Sequence, residues 1–125
     1  MTEDRVAIAT LLAEYCHLCD DGEHDELVER FADDAVLAFG ERAVTGRPEL
    51  LAWFERTQTA ERRGKHITAN VVIEIDGDRA SAVSDFVFYA KVDGRPVPLL
   101  AGTYVDELGR DAGVWRFRRR TVIAL

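Results

Sequence analysis

The spacing of apolar residues changes at Gly64, and this change restricts the fold more than any other feature of the sequence. Before Gly64, apolar side chains recur every three to four residues, which is the period of an amphipathic helix. After Gly64, apolar and polar residues alternate over long stretches, which is the period of a β-strand. The sequence therefore predicts an α+β fold in which helices precede a mostly antiparallel sheet.

Three helices are predicted in the first half of the chain. The first covers residues 5–20, because its apolar side chains fall on one stripe of a helix. The second is short, carries Phe31 on its apolar side and ends at Asp33 and Asp34. A brief strand follows at residues 36–39, and a third helix begins near Pro48, a residue common in the first helical turn. The predicted stripe of the first helix consists of Ile8, Leu11, Leu12, Tyr15 and Cys19.

Four long strands are predicted after Gly64, and Asp-Gly pairs at Asp76-Gly77 and Asp93-Gly94 indicate tight hairpin turns between them. Both faces of these strands carry apolar side chains, such as Phe86 on one face and Val87 on the other. One face can pack on the helices, and the other also requires cover. A strongly curled sheet would provide it, but we favour a homodimer formed sheet to sheet.

The size and charge of the chain exclude several classes of protein. Its 125 residues predict a single domain over residues 1–125. The net charge of -7 would repel a phosphate backbone, so no nucleic-acid partner is expected. Because the chain shows neither a long apolar run nor a basic leader, we expect no membrane association and a cytoplasmic location.

Two cysteines in the segment YCHLCDDGEHDEL raise the question of a metal or redox site. A structural zinc site uses four ligands, yet Cys16 and Cys19 are the only cysteines and His17 lies on another side of the helix. Redox CxxC motifs stand at helix N-termini, where the dipole stabilises a thiolate, whereas this one ends its helix. We therefore predict core packing for both cysteines, with no metal and no cofactor.

Asp20 and His66 form the candidate catalytic pair. Asp20 lies at the edge of the apolar stripe in the last turn of the first helix, where a half-buried carboxylate needs a partner. His66 begins the first long strand and shares a face with Thr68 and Asn70. An Asp-His pair is a competent general base, because the aspartate fixes the tautomer and stabilises the imidazolium. The alternative is a helix-end carboxylate and an ordinary surface histidine.

The segments FADDAV, GKHITAN and LLAGTYVDELGRDAGVWRFRRR resemble the SnoaL-like, nuclear transport factor 2-like superfamily. The similarity extends from Val6 to Val122 and is strongest with the branch of scytalone dehydratase, bile acid 7α-dehydratase and hexachlorocyclohexane dehydrochlorinase. It implies a cone: a curved sheet around a pocket, three helices on the wide side, and frequent dimers. In that branch an aspartate supports a proton-abstracting histidine, and the matching positions here are Asp20 and His66.

The resemblance also implies roles for Tyr15, five residues before the aspartate, and for Arg120 on the last strand. Strand alternation instead places Arg119 on the face of Trp115 and Phe117, so Arg120 can face the pocket only through a β-bulge. If Arg120 does not face the pocket, Arg119 is the alternative candidate. Arg116 and Arg118 belong to the same cluster, and the sequence alone does not show which of the four arginines faces inward. The segment SDFVFYA lacks the second histidine of scytalone dehydratase.

A small cofactor-independent lyase or isomerase, similar to a dehydratase and acting on a hydrophobic cyclic molecule, is the function that these features favour. The alternative is a binding module of the same fold, without catalysis. Hydrolysis of an epoxide is a third possibility, but its Asp-Arg-Asp arrangement is not assigned here. A pocket of about 300 Å³ or more beside His66 would favour catalysis or ligand binding over a structural role. The predicted pocket walls are Phe39, Trp53, Phe54, Asn70, Phe86, Phe88, Leu100 and Tyr104.

Overall fold

A computed structural model describes residues 2–125. Three helices precede or interrupt the first strands of this part of the chain. They are α1 (Thr2–Asp21), α2 (His24–Glu29) and α3 (Arg47–Thr57). No helix within residues 2–125 has the length and apolar character needed to cross a membrane.

Six strands form one curved, unclosed sheet in the described part of the chain, in the order β2-β1-β6-β5-β4-β3. Only the β1 and β6 pair is parallel, and the other four pairs are antiparallel. The predicted α+β class and mostly antiparallel sheet are therefore confirmed. The strands are β1 (Phe31–Phe39), β2 (Arg42–Thr45), β3 (Lys65–Asp76), β4 (Arg79–Val92), β5 (Arg95–Asp111) and β6 (Val114–Ala124).

The boundary between α2 and β1 differs from the sequence prediction. Helix α2 ends at Glu29, and Phe31 is the first residue of β1 rather than the end of a helix. Phe31 lies opposite Phe117 of β6, and this pairing between distant segments overrides the local helical spacing. The exposed Asp33 and Asp34 belong to β1, in a region where its register with β6 shifts. Strand β2 was not predicted.

One face of the sheet packs against the helices and forms the core. We call this the inner face; it carries Ala82 and Phe86, whereas the outer face carries Val83 and Val105. The predicted stripe of α1 is confirmed, since all five of its residues are buried. The core residues contributed by the helices are Ile8, Leu11, Leu12, Tyr15, Cys16, Cys19, Leu27, Val28, Leu50 and Phe54.

Two β-bulges change which residues of a strand face inward. In β3 the register shifts between Ala69 and Val72, and Asn70 adopts a positive φ of 55°. In the β5 and β6 pair it shifts between Glu107 and Leu108. Successive side chains of a strand point to opposite faces of the sheet. An extra residue at a bulge therefore moves every later side chain of that strand to the opposite face from the one that simple alternation predicts.

Candidate functional site

Asp20 and His66 are in direct contact. Nδ1 of His66 lies 2.6 Å from Oδ1 of Asp20, and the backbone N–H of His66 donates to both carboxylate oxygens, at 3.2 and 3.0 Å. The side chains of His66 and Asp20 are only 11% and 5% exposed. The helix end thus carries one carboxylate that binds both the backbone and the ring of a single histidine.

The position of β3 at the edge of the sheet explains this arrangement. An edge strand leaves backbone N–H groups without a neighbouring strand, and here the carboxylate of Asp20 accepts one of them. Because an ionised carboxylate only accepts hydrogen bonds, Nδ1 of His66 carries the hydrogen. Within residues 2–125, Nε2 makes no hydrogen bond, so its lone pair is available to a ligand.

A cavity of about 480 Å³ opens beside His66, between the inner face of the sheet, α3 and the segment that follows α3. We call it the His66 cavity. Seven of its lining residues are Phe, Tyr or Trp. Its lining includes seven of the eight predicted wall residues, namely Phe39, Trp53, Phe54, Phe86, Phe88, Leu100 and Tyr104.

Asn70 is the predicted wall residue that lies outside the His66 cavity, so its expected placement is corrected. The β3 bulge removes Asn70 from the face of His66, and its side-chain amide donates to Oδ2 of Asp85 at 2.9 Å. Thr68 shares the face of His66 as predicted, but its hydroxyl pairs with Sγ of Cys16 at 3.2 Å.

Tyr15 lines the His66 cavity despite its distance from Asp20 along α1. Its ring is nearly perpendicular to that of His66, with the centroids 6.4 Å apart. The rings of Tyr104 and Phe117 are also within about 6 Å of Tyr15. Burial raises the pKa of the Tyr15 hydroxyl well above its ordinary value, so this group is a hydrogen-bond donor at neutral pH.

Arg120 faces inward, and the bulge that this orientation requires is present. Arg119 is exposed, whereas the side chain of Arg120 is fully buried. Its guanidinium carbon lies 4.2 Å from the centre of the Tyr15 ring and 3.6 Å from that of Tyr104. Arg120 is not part of the cavity lining, so it lies behind the two tyrosines that form the wall.

Asp106 is the partner of Arg120, and the sequence analysis did not identify it. Nε and Nη2 of Arg120 donate to the two carboxylate oxygens at 2.9 and 3.2 Å. Burial raises the pKa of Asp106, while the adjacent guanidinium opposes that change. Nη1 of Arg120 is buried and has no hydrogen-bond partner among residues 2–125. The alternation of Tyr104, Asp106 and Leu108 on one face of β5 was the signal that could have revealed this pair.

The sequence analysis also missed five polar residues that line the cavity, namely Thr57, Gln58, Glu61, Arg62 and Lys91. Four of them lie at the end of α3 or in the irregular segment after it, where periodicity carries no information, and Lys91 lies near the end of β4.

The two cysteines are free and buried. Burial raises the pKa of both thiols, which keeps them protonated near neutral pH. Among residues 2–125, no three His, Cys, Asp or Glu side chains come together in an arrangement that could hold a metal ion.

The geometry allows one kind of chemistry directly. A histidine whose Nδ1 is held by an aspartate, and which itself lines a cavity, can accept a proton at its other nitrogen from a bound molecule. Tyr15 lines the same cavity, and its protonated hydroxyl is a hydrogen-bond donor. A cavity with apolar walls and a few converging polar groups is typical of a small-molecule site.

The chain belongs to the SnoaL-like family, because the model of the SnoaL-like domain matches residues 1–121. No curated protein sequence matches the chain significantly.

Solved structures agree with this family. An NTF2-like protein with a cystatin-like fold from Novosphingobium aromaticivorans superposes with a TM-score of 0.93 at 26% identity, covering 99% of this chain and 83% of that one. A protein described provisionally as a scytalone dehydratase, from the same organism, has a TM-score of 0.87 at 23% identity, covering 100% and 89%. LinA has a TM-score of 0.87 at 20% identity, covering 99% and 87%. At 23% and 20% identity, the similarities to these last two proteins show a shared fold.

Proposed function

We propose that the protein is a small cofactor-independent lyase or isomerase, similar to a dehydratase, that acts on a hydrophobic cyclic molecule. The observation that carries this proposal is the hydrogen-bonded Asp20 and His66 pair at the wall of a cavity. The cavity volume of about 480 Å³ lies within the range of small-molecule sites.

In the proposed reaction, Nε2 of His66 removes a proton from a carbon next to an electron-withdrawing group. In an elimination, the electron pair of the broken C–H bond forms a double bond as a leaving group departs. In an isomerisation, that pair forms a double bond at a new position, and the imidazolium of His66 returns the proton to another carbon, which binds it with the former π electrons. The carboxylate of Asp20 stabilises the imidazolium that forms. Such a positioned base contributes typically about 10² to 10⁴ in rate.

Tyr15 and Arg120 have supporting roles in this proposal. The hydroxyl of Tyr15 hydrogen-bonds the leaving group or the developing oxyanion, because Tyr15 lines the cavity. Arg120 acts from behind the wall, where its guanidinium, paired with Asp106, contacts the ring of Tyr15 and holds it in position. A single donor of this kind contributes about 2.7 to 4 kcal/mol of transition-state stabilisation.

The walls favour an apolar ring as the body of the ligand. Flat side chains such as Phe86, Phe88 and Trp53 can stack on a ring or cover its edge. Phe88 also packs against His66 with a centroid separation of 4.7 Å, so a ring bound against Phe88 would be close to the proposed base.

A second candidate function is binding without catalysis. The same cavity would then hold an apolar ligand, and Asp20 would only satisfy the polar groups of His66. The family and fold are compatible with both functions, so chemistry must separate them.

The test is a screen of cyclic secondary alcohols, ketones and halides, with formation of a double bond followed by absorbance and mass spectrometry. We expect one class to be converted by the wild type, with a loss of at least about 10²-fold in kcat for His66→Ala and Asp20→Asn. His17→Ala, an exposed histidine of α1, is the matched control and should retain activity.

Full activity of His66→Ala would contradict the proposed mechanism. Saturable ligand binding with no conversion, unchanged by either substitution, would support the binding module instead.

We further propose a homodimer in a reducing, cytoplasmic compartment. The outer face exposes Val72, Val83 and Val105 in adjacent strands, with exposures of 63, 45 and 38%. This row of three exposed valines supports pairing with a second copy. Two free, buried cysteines are in keeping with a reducing compartment.

A further inference from the structure

Five arginines surround a second cavity, which lies away from His66 at the other end of the strands. Its volume is about 700 Å³, and we call it the arginine cavity. The start of α3, the β3–β4 turn region, the end of β5 and the start of β6 each contribute to its lining. The arginines are Arg47, Arg79, Arg110, Arg116 and Arg118.

Two of these arginines are already paired with carboxylates. Arg47 lies 3.0 Å from Asp33, and it also donates twice to the backbone oxygen of Phe31. Arg110 bridges Asp4 and Asp78, at 2.6 and 2.9 Å. These ion pairs fix the sides of the arginine cavity, and they neutralise two of the acidic residues in its lining.

The other three arginines have no ion pair with any of residues 2–125. Nε of Arg116 donates to the backbone oxygen of Glu29 at 3.1 Å, an acceptor that leaves the positive charge uncompensated. Arg79 and Arg118 make no side-chain hydrogen bond within the described chain. Two exposed carboxylates, Asp34 and Asp111, also border the cavity, and together with Asp33, Asp78 and Asp4 they bring the carboxylates around the five arginines to five.

The sheet register brings these three cations together. Arg79, Gly109 and Arg116 are partners in one row across β4, β5 and β6. Gly109 lacks a side chain, and the stem of Arg118 crosses it so closely that an added Cβ would lie 2.7 Å from Cδ of Arg118. The glycine thus lets Arg118 lie between Arg79 and Arg116 in a chain whose net charge is -7.

We propose that the arginine cavity binds the phosphoryl group of a small molecule. Clustered guanidinium groups repel one another unless an anion lies between them, and a phosphoryl group accepts several of their hydrogen bonds at once. A cavity of about 700 Å³ has room for more than one phosphoryl group, so a diphosphate serves as the first probe.

The test is a titration of ¹⁵N-labelled protein with inorganic pyrophosphate, with ionic strength held constant by sodium chloride. We expect saturable chemical-shift changes at the amides of Arg79, Gly109 and Arg118, and weaker binding of inorganic phosphate. A second titration uses adenosine diphosphate. If its affinity equals that of pyrophosphate, the cavity recognises the phosphoryl groups alone. If its affinity is higher, the cavity also contacts the organic part of the ligand.

Matched variants separate a site from general charge attraction. Arg79→Gln and Arg118→Gln should each weaken pyrophosphate binding by about tenfold. Arg119→Gln removes the same charge from an exposed neighbour on β6 that lies outside the cavity, and it should leave the affinity unchanged. Absence of saturable shifts in the wild type, or an equal loss in Arg119→Gln, would overturn the proposal.

Discussion

At the scale of single residues, the most costly group to bury is the ion pair of Arg120 and Asp106. Both side chains are fully buried, and three aromatic rings surround the guanidinium. Two charges removed from water require mutual attraction and hydrogen bonds to offset their lost hydration. The two hydrogen bonds from Arg120 to Asp106 meet that need in part, since one guanidinium nitrogen has no partner among residues 2–125.

Removing one member of this pair should therefore cost more than removing both. We expect Asp106→Leu to lower the free energy of unfolding by about 3 to 5 kcal/mol, because the charge of Arg120 remains buried. The double variant Asp106→Leu, Arg120→Met should be more stable than Asp106→Leu alone. Urea denaturation of the wild type, both single variants and the double variant measures this, and additive losses would contradict it.

Buried thiols and phenols should make the protein sensitive to alkaline pH. Burial raises the pKa of Cys19 and of Tyr104, so in the unfolded chain both groups lose their protons at lower pH than in the fold. Since the native state then binds more protons, stability falls as pH rises. The contribution is complete below about pH 8.5 for the thiol and about pH 10 for the phenol.

Denaturation between pH 7 and 10 under reducing conditions measures this effect. We expect a steady free energy of unfolding up to about pH 8, followed by a loss approaching 1.4 kcal/mol per pH unit for each ionising group. Cys19→Ala should reduce the slope above pH 8.5. An unchanged slope in that variant would assign the alkaline loss to other groups.

At the scale of elements, bulges decide where the chemistry lies. Asn70 has a φ of 55°, which a β-branched residue adopts only with strain. Asn70→Val should lower the free energy of unfolding by about 1 to 3 kcal/mol, whereas Asn70→Gly should stay close to the wild type. Thermal denaturation compares them with the control Ala69→Val, which changes an exposed neighbour in β3. Equal losses in all three variants would contradict this account.

The sequence predicted which helices and long strands exist better than it predicted where they begin and end, or which face of a strand a given side chain occupies. Periodicity predicted the apolar stripe of α1 and the four long strands. The placement of Asp20 and His66, together with the family resemblance, predicted their contact. The start of β1 at Phe31 did not, because its pairing with β6 joins segments that are distant along the chain. Strand β2 lacks any alternation of its own, and the bulge that displaced Asn70 depends on the neighbouring strand.

At the scale of the whole molecule, no helix within residues 2–125 covers the exposed valines on the outer face of the sheet. Val105→Asp would place a charge in the centre of the proposed dimer interface without touching the core, since Val105 is 38% exposed. We expect light scattering to give twice 14.0 kDa for the wild type and 14.0 kDa for Val105→Asp. Glu107→Gln, another exposed outer position of β5, is the control. A wild-type monomer would exclude the dimer.

The carboxylate of Asp20 has one more consequence, for the way the protein would fail. It closes part of the free edge of β3, and it also holds the ring of His66. Local opening of α1 would therefore dismantle the candidate site and, in the same event, expose a strand edge rich in valine and isoleucine. Such an edge pairs readily with other chains. Loss of function and onset of aggregation would then begin from one and the same partially unfolded state.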